Sequence, residues 1–255
     1  FCSSLVGAQA VTLTGTGAYT GGTYTVVPAG LSINAGTGAI TPSTSTAGTY
    51  TVTYTIPASA GCAAVPVTTS VTITAAPTAT ISYVGTPFCS GTGTASVTQT
   101  GTVGGTYTVS PAGLVINAST GAVNLNTSTA GTYTVTYTIP ASAGCAIFTT
   151  TTSITINPTT TPITGFSYPT PICIDGVNPL PTGVVGFTTS GTYSSTPGLA
   201  INSSTGEINL LTSTAGTYTV TYTVPATICG PVGVSTFDIT LTAVPTATIS
   251  YAGIP

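Results

Sequence analysis

Between residues 49 and 56 apolar and threonine positions alternate without a break, with Tyr50, Val52, Tyr54 and Ile56 on one side and Thr49, Thr51, Thr53 and Thr55 on the other. A period of two sends successive side chains to opposite faces of an extended chain. The segment therefore predicts a strand with one face in a core and the other in water. Val11 and Leu13, and then Val71 and Ile73, show the same alternation, while Pro57 and Pro77 end strands because they have no N–H to give to a ladder. Gly21-Gly22 ahead of residues 23–27, and Ala35-Gly36-Thr37-Gly38 between the short segments 31–33 and 39–41, predict hairpin turns. No stretch has a 3.6-residue period, so no α-helix beyond an occasional turn is expected. Six or seven short strands joined this way predict an all-β, antiparallel two-sheet sandwich.

The pattern is written three times. Residues 47–55 return at 130–138 and at 215–223, and 44–63 are identical to 127–146. A repeat of about 84 residues is long enough to close a small core of its own, so tandem domains are expected at 1–77, 78–160 and 161–245. Residues 246–255 would start a further copy, because 245–255 (PTATISYAGIP) match 77–87 (PTATISYVGTP). The first copy lacks this opening strand, which is then missing or supplied by a preceding repeat segment. Phe1-Cys2 matches Phe88-Cys89, and the sequence reads as a window on a longer array. Ala75-Ala76-Pro77-Thr78 leaves little slack between copies, and the proline-rich segment from Asn157 to Pro162 is semi-rigid. Together these predict an extended rod.

Composition narrows the chemistry. Threonine makes up about a quarter of the chain, there is no Lys, Arg or His, and Asp and Glu together number three. Disorder is disfavoured by the 41% apolar content and the strict alternation, and no apolar run reaches the roughly 20 residues a membrane helix needs. Without basic residues there is no patch to neutralise phosphates, so nucleic acid and anionic lipid are not expected partners, and no membrane contact is expected in this segment. General acid–base chemistry is left with Asp175, Glu207 and Asp238, all in the third copy and without counterparts. No enzyme activity, cofactor or metal site is expected, calcium included, because the carboxylates are too few. A chain without Lys or Arg also offers trypsin no site.

The segment Pro28-Ala29-Gly30-Leu31-Ser32-Ile33-Asn34-Ala35-Gly36-Thr37-Gly38-Ala39-Ile40, followed by Ala47-Gly48-Thr49-Tyr50-Thr51-Val52, resembles the Ig-like/cadherin-like repeats of bacterial surface proteins. The second copy carries it at 111–117 with Thr120-Gly121, and the third at 197–202 with Thr205-Gly206. With the Thr-Ala-Thr-Ile-Ser-Tyr openings and paired cysteines, the array is similar to giant repeat adhesins of Bacteroidota, including those of gliding motility and type IX secretion. The resemblance implies an extracellular filament at the cell surface built of Ig-like sandwiches.

Two cysteines stand at matched places in each copy, and the pairing expected from treating the copies as equal domains is Cys2 with Cys62, Cys89 with Cys145 and Cys173 with Cys229. Such disulfides imply an oxidising compartment. Metal ligation and buried free thiols are the competing readings. Tyr50, Tyr133 and Tyr218 occupy a position resembling the tyrosine corner of Greek-key sandwiches, in which the hydroxyl bonds upstream backbone. A sugar-binding platform is the alternative, for which exposed Tyr19 or Tyr193 would be better placed. The expected function is a stalk or fibre segment of a large extracellular repetitive adhesin, with neighbouring repeats of the chain as partners. Two alternatives stand beside it: a self-assembling filament subunit joined laterally or by strand donation to other copies, and repeats that bind surface glycans or substratum directly.

Overall fold

The computed structural model describes residues 1–255 except 92, 252, 254 and 255. The last three belong to the expected start of a further repeat and lie outside the described residues. Each copy is organised around a nine-residue central strand, Gly48–Ile56, Gly131–Ile139 or Gly216–Val224. On one side it pairs antiparallel with Thr23–Val27, Thr106–Ser110 or Thr192–Ser195, and on the other with a terminal strand, Val65–Ile73, Phe148–Asn157 or Gly233–Thr242. The alternation in sequence is the alternation in burial: Tyr133, Val135, Tyr137 and Ile139 point into the core and the threonines between them do not. Register places a tyrosine against a tyrosine in every copy, with Tyr24–Tyr54, Tyr107–Tyr137 and Tyr193–Tyr222 rings 4.6, 4.7 and 4.5 Å apart. On the outer face, threonines across strands hydrogen-bond, as Thr132 and Thr155 do at 3.1 Å.

A second layer covers the buried face. In the second copy it consists of an entry strand, Ala79–Ser82, paired with Thr98–Gly101, and of Thr94–Ala95 paired with Val123–Asn124. The third copy repeats the arrangement with Phe166–Ser167 against Thr182–Gly183. In the first copy, Gln9 and Ile33 each bridge Ile40, and residues 11–15 run without a paired strand. The chain is thus all-β, with tandem Ig-like antiparallel sandwiches and, among the described residues, only the single 3-10 turns Pro42–Thr44 and Leu210–Thr212 as helix. It gathers into two compact units: Phe1–Pro87 with Thr92–Ile156, and Phe88–Gly91 with Asn157–Pro255. The first holds most of copies one and two. The second holds copy three together with the short segment that opens copy two after Pro87.

Candidate functional site

In the first and third copies the segment Phe1-Cys2 or Ile172-Cys173 lies parallel to the end of that copy's own terminal strand. In the first unit the Phe1 amino group donates to Thr72 O at 2.8 Å, Thr74 N to Phe1 O at 2.8 Å, and Ser3 N to Thr74 O at 2.8 Å. Ala76 N then donates to Ser3 Oγ at 2.9 Å, which fixes the chain as it leaves the copy. In the third copy Ile172 and Cys173 pair with Leu241 and Thr242 in the same parallel sense, and Ile174 N donates to Thr242 O. The opening cysteine is therefore held where the copy ends.

The other cysteine of each copy sits at the opposite end. Cys62 and Cys145 close tight turns with Ser59 and Ser142, in which Ala60 and Ala143 adopt φ of 49° and 48°. Each turn joins the end of the central strand to the start of the terminal strand. The terminal strand of the first copy is nine residues long, which at ~3.3 Å per residue separates Cys62 from Cys2 by about 30 Å. A disulfide needs Cα atoms within about 7 Å. The expected pairs Cys2 with Cys62, Cys89 with Cys145, and Cys173 with Cys229 are accordingly not those of the structure. Cys2 is bonded to Cys145 and Cys89 to Cys229, with Cα–Cα distances of 4.7 and 5.3 Å, and Cys62 and Cys173 are free thiols.

Each bond joins the opening cysteine of one copy to the turn of the following copy. Cys2 is almost fully buried in its bond, next to a cleft of about 300 Å³ lined by Thr74, Ala75, Pro77, Ile139 and Pro140. In the second unit Ser90 N donates to Asn157 O at 2.9 Å, Thr159 N to Ser90 Oγ at 3.1 Å, and Thr160 N to Cys229 O at 3.1 Å. Cys229 stands one place earlier in its turn than Cys145 does, since the bridge there is between Thr227 and Gly230. Treating all copies alike does not single out pairing within a copy, because stepping from each copy to the next treats them alike too. The position of the first cysteine along the terminal strand decides between the two.

No family model and no curated protein matches the chain. Among solved structures it is similar to Drosophila N-cadherin EC1-4, at 10% identity and a TM-score of 0.37 over 95% of this chain and 72% of that one. It is also similar to the extracellular cadherin domains 1-5 of protocadherin gamma B2, at 11% and 0.41 over 97% and 58%, and to titin domains A168-A170, at 13% and 0.39 over 87% and 89%.

Tyr50, Tyr133 and Tyr218 are buried, and their hydroxyls donate to the carbonyls of Thr46, Thr129 and Thr214 at 2.7, 2.8 and 2.8 Å. The same threonines place their Oγ1 within 2.6–2.7 Å of the hydroxyl. Four residues upstream is the backbone that a tyrosine corner engages. Tyr193 is not an exposed contact residue: it is buried against Tyr222, because it occupies the inward register position of Tyr24 and Tyr107. Tyr19 is half-buried. Among the described residues Ser45, Ser128 and Ser213 are the buried polar side chains, which strand periodicity does not reveal. Each accepts from the backbone N–H of Ser32, Val115 or Ala200 and donates to the carbonyl of Thr41, Asn124 or Asn209, tying the loop to the second layer. Their signal was the unvarying Ser-Thr-Ala-Gly before every central strand.

The three carboxylates are not brought together as a site. Asp238 lies on the outer face of the terminal strand, where its Oδ1 accepts from Thr219 Oγ1 at 2.7 Å, while Glu207 and Asp175 are exposed in separate loops. Among the described residues no group of three His, Cys, Asp or Glu side chains is placed to hold a metal, and no helix is long and apolar enough to cross a membrane. The titratable groups that depart from ordinary behaviour are core tyrosines. Tyr83 is pushed up to about 12 by burial and then by Tyr107, and Tyr168 is raised by burial and then by Tyr193. Their hydroxyls donate to Gly121 O and Gly206 O at 2.6 and 2.5 Å, which also favours the protonated form.

Proposed function

We propose that the chain is a load-bearing stalk or fibre segment of a large extracellular repetitive adhesin that projects a binding element from a bacterial surface. Its beads are residues 1–77, 78–160 and 161–245, with 246–255 beginning the next. The observation that supports this reading is the pair of disulfides from the openings of the first and second copies to the turns of the second and third. A bond inside a copy would strengthen only that copy. A bond between consecutive copies reinforces the joint, the place where a string of small sandwiches is mechanically weakest, and it belongs to an oxidising, extracellular compartment. The lack of basic residues fits a structure that persists among trypsin-like proteases.

The bonds also limit extension. The shortest covalent path from Phe1 to the chain end runs to Cys2, across to Cys145, back along the chain to Cys89, across to Cys229 and on to the end, using about a third of the residues. At ~3.5 Å per extended residue, the oxidised chain would stretch to about 300 Å and the reduced chain to about 900 Å. Single-molecule pulling from the two ends, with and without reductant, tests this. Full extension to about 900 Å under oxidising conditions would refute the load-bearing role of the bonds.

A further inference from the structure

The third copy departs from the other two at one place on its surface. Residues 200–209 form a hairpin in which Asn202 N donates to Glu207 O at 2.9 Å and Asn209 N to Ala200 O at 2.8 Å, with Ile201 bridging Ile208. Ile208 is buried in the core, so Ala200, Asn202, Glu207 and Asn209 fall on the opposite, outward face. The same backbone bonds place Ser32, Asn34, Ala39 and Thr41 there in the first copy, and Val115, Asn117, Ala122 and Asn124 in the second. A carboxylate stands at this place in the third copy alone.

A second difference lies beside it. In the second copy Leu125 N donates to the Gly93 carbonyl at 3.0 Å, whereas in the third the equivalent Leu210 N donates to a side chain, Asn178 Oδ1, at 3.0 Å. Ile208 N also donates to Pro179 O at 3.1 Å, so residues 178–179 are pinned along the edge of the hairpin next to the buried Ile208 and Leu210. Asn178, Ala200, Asn202, Glu207, Asn209 and Thr212 line a hollow of about 370 Å³. Sites for small molecules run from about 300 to 1,000 Å³, and this one is at the small end of that range.

The carboxamide oxygens around the hollow are committed to backbone. Asn178 Oδ1 takes the Leu210 N–H, Asn202 Oδ1 accepts from Ser204 N and Thr205 N at 2.9 and 3.1 Å, and Asn209 Oδ1 accepts from Thr212 N at 3.3 Å. An asparagine held by its oxygen leaves its NH2 group for another partner, and among the described residues neither Nδ2 of these three nor the Glu207 carboxylate hydrogen-bonds to protein. The hollow therefore presents fixed N–H donors beside one anionic acceptor. Calcium asks for about six to eight oxygens, and here the carboxamide oxygens are taken. An anion would meet Glu207 and no basic side chain. An apolar molecule would strip water from groups that it could not repay with hydrogen bonds. Neighbouring hydroxyls on one ring answer both needs, since each oxygen accepts from N–H and each O–H donates to a carboxylate.

We propose that the third copy binds a neutral saccharide in this hollow, the hydroxyls of one sugar ring accepting from Nδ2 of Asn178, Asn202 and Asn209 and donating to the Glu207 carboxylate. The backbone bonds hold the donors in place before the sugar arrives, so little side-chain freedom is lost on binding. No aromatic side chain lines the hollow, and a ring held by hydrogen bonds alone binds weakly, with a Kd on the order of 1 mM. The inference goes beyond the stalk reading. It stands on the side chains of one copy and not on the bonds between copies, so the pulling experiment and the binding experiment can fail separately.

The test titrates the whole chain, isotopically labelled on nitrogen, with D-glucose, D-galactose, D-mannose and N-acetyl-D-glucosamine and follows the carboxamide NH2 resonances. The expected result is a saturable shift of the Asn178, Asn202 and Asn209 signals with at least one of these sugars, while Asn34 and Asn117, which hold the same turn in the other copies, stay in place. Glu207→Ala installs the side chain that the first and second copies carry there. Asn178→Asp keeps an oxygen for Leu210 N and removes the donor. Each is expected to weaken binding by about tenfold or more while the backbone spectrum elsewhere stays unchanged. The absence of a saturable shift with all of the sugars at about 100 mM overturns the proposal, as do equal shifts at Asn34 and Asn117 or binding that survives both variants. Calcium chloride that moves these signals where the sugars do not would make the hollow a cation site and overturn it too. So would N-acetylneuraminic acid bound as tightly as the neutral sugars, because Glu207 should repel its carboxylate.

Discussion

The first and second copies share twenty identical consecutive residues, yet the second is a closed sandwich and the first is open along one edge. Their central strands have the same sequence, Gly-Thr-Tyr-Thr-Val-Thr-Tyr-Thr-Ile, and the last residue is buried in one and half-buried in the other. The difference lies outside the strand, in whether a Thr-Ala-Thr-Ile-Ser-Tyr segment lies across it. The second copy is therefore completed by its own opening strand, Ala79–Ser82, and the second and third are each sealed by a cysteine from the preceding copy. Alternating hydrophobic patterning fixes which face of a strand looks inward, but how much of that face loses water depends on a neighbour.

The cysteines give the largest contrast. Cys145 and Cys62 occupy identical turns, and only the first is bonded. Cys145→Ser should destabilise the first unit by about 4 kcal/mol, in line with the long loop that the bond closes. Cys62→Ser in the isolated chain should change stability by less than about 0.5 kcal/mol. Denaturant unfolding of the two variants checks this. Equal losses would mean that the bonds lie within copies after all.

Next comes the buried apolar position where the layers meet. Ile154→Ala should cost about 3 kcal/mol, since the side chain is wholly enclosed. Val71→Ala, at the equivalent but half-buried place in the first copy, should cost about 1 kcal/mol. Hydrogen exchange of the two central strands separates the copies. If Val71→Ala proves as damaging as Ile154→Ala, the first copy is already closed in solution.

The strands, the turns and the inward faces could be read from the sequence because they depend on residues close together in the chain. Thr49 through Ile56 declares its own periodicity, and Pro57 its own end. The hydrogen bond of the Tyr50 hydroxyl is also local, four residues back to Thr46. What could not be read depends on long-range placement. Whether Cys2 faces Cys62 or Cys145 turns on which end of the terminal strand the opening segment lies beside, and a parallel bridge between Cys2 and Thr74 is not implied by any periodicity. Tyr193 was misplaced for a related reason: its register partner, Tyr222, is some thirty residues away, and its own strand is too short to show alternation.

Alkali sharpens the comparison further. Tyr83 stays protonated in the folded second copy up to about pH 12 because it is buried and faces Tyr107, whereas an unfolded chain releases this proton near pH 10. Its contribution is fully present below about pH 10 and is lost as pH rises toward 12, as the unfolded state gives up the proton first. The second copy should lose roughly 2 kcal/mol across that interval. Tyr83→Phe should flatten the profile. Among the described residues no tyrosine hydroxyl donates to Gly38 O in the first copy as Tyr83 does to Gly121 O in the second, so the exchange rates of the first copy should respond less.

The smallest effect is the control for all of these. The hydroxyl bonds of Tyr50, Tyr133 and Tyr218 are alike, with hydroxyl-to-carbonyl distances of 2.7, 2.8 and 2.8 Å and the same threonine beside each. They lie away from the open edge. Tyr50→Phe and Tyr133→Phe should each cost about 1 kcal/mol, the usual net value of one buried hydrogen bond, read from local exchange in each copy. Equality would show that the first copy is intact except where its covering strand is absent. A much smaller loss for Tyr50→Phe would mean that opening one edge loosens the whole sandwich, and that completion by a neighbouring segment governs the folding of a repeat as well as its surface.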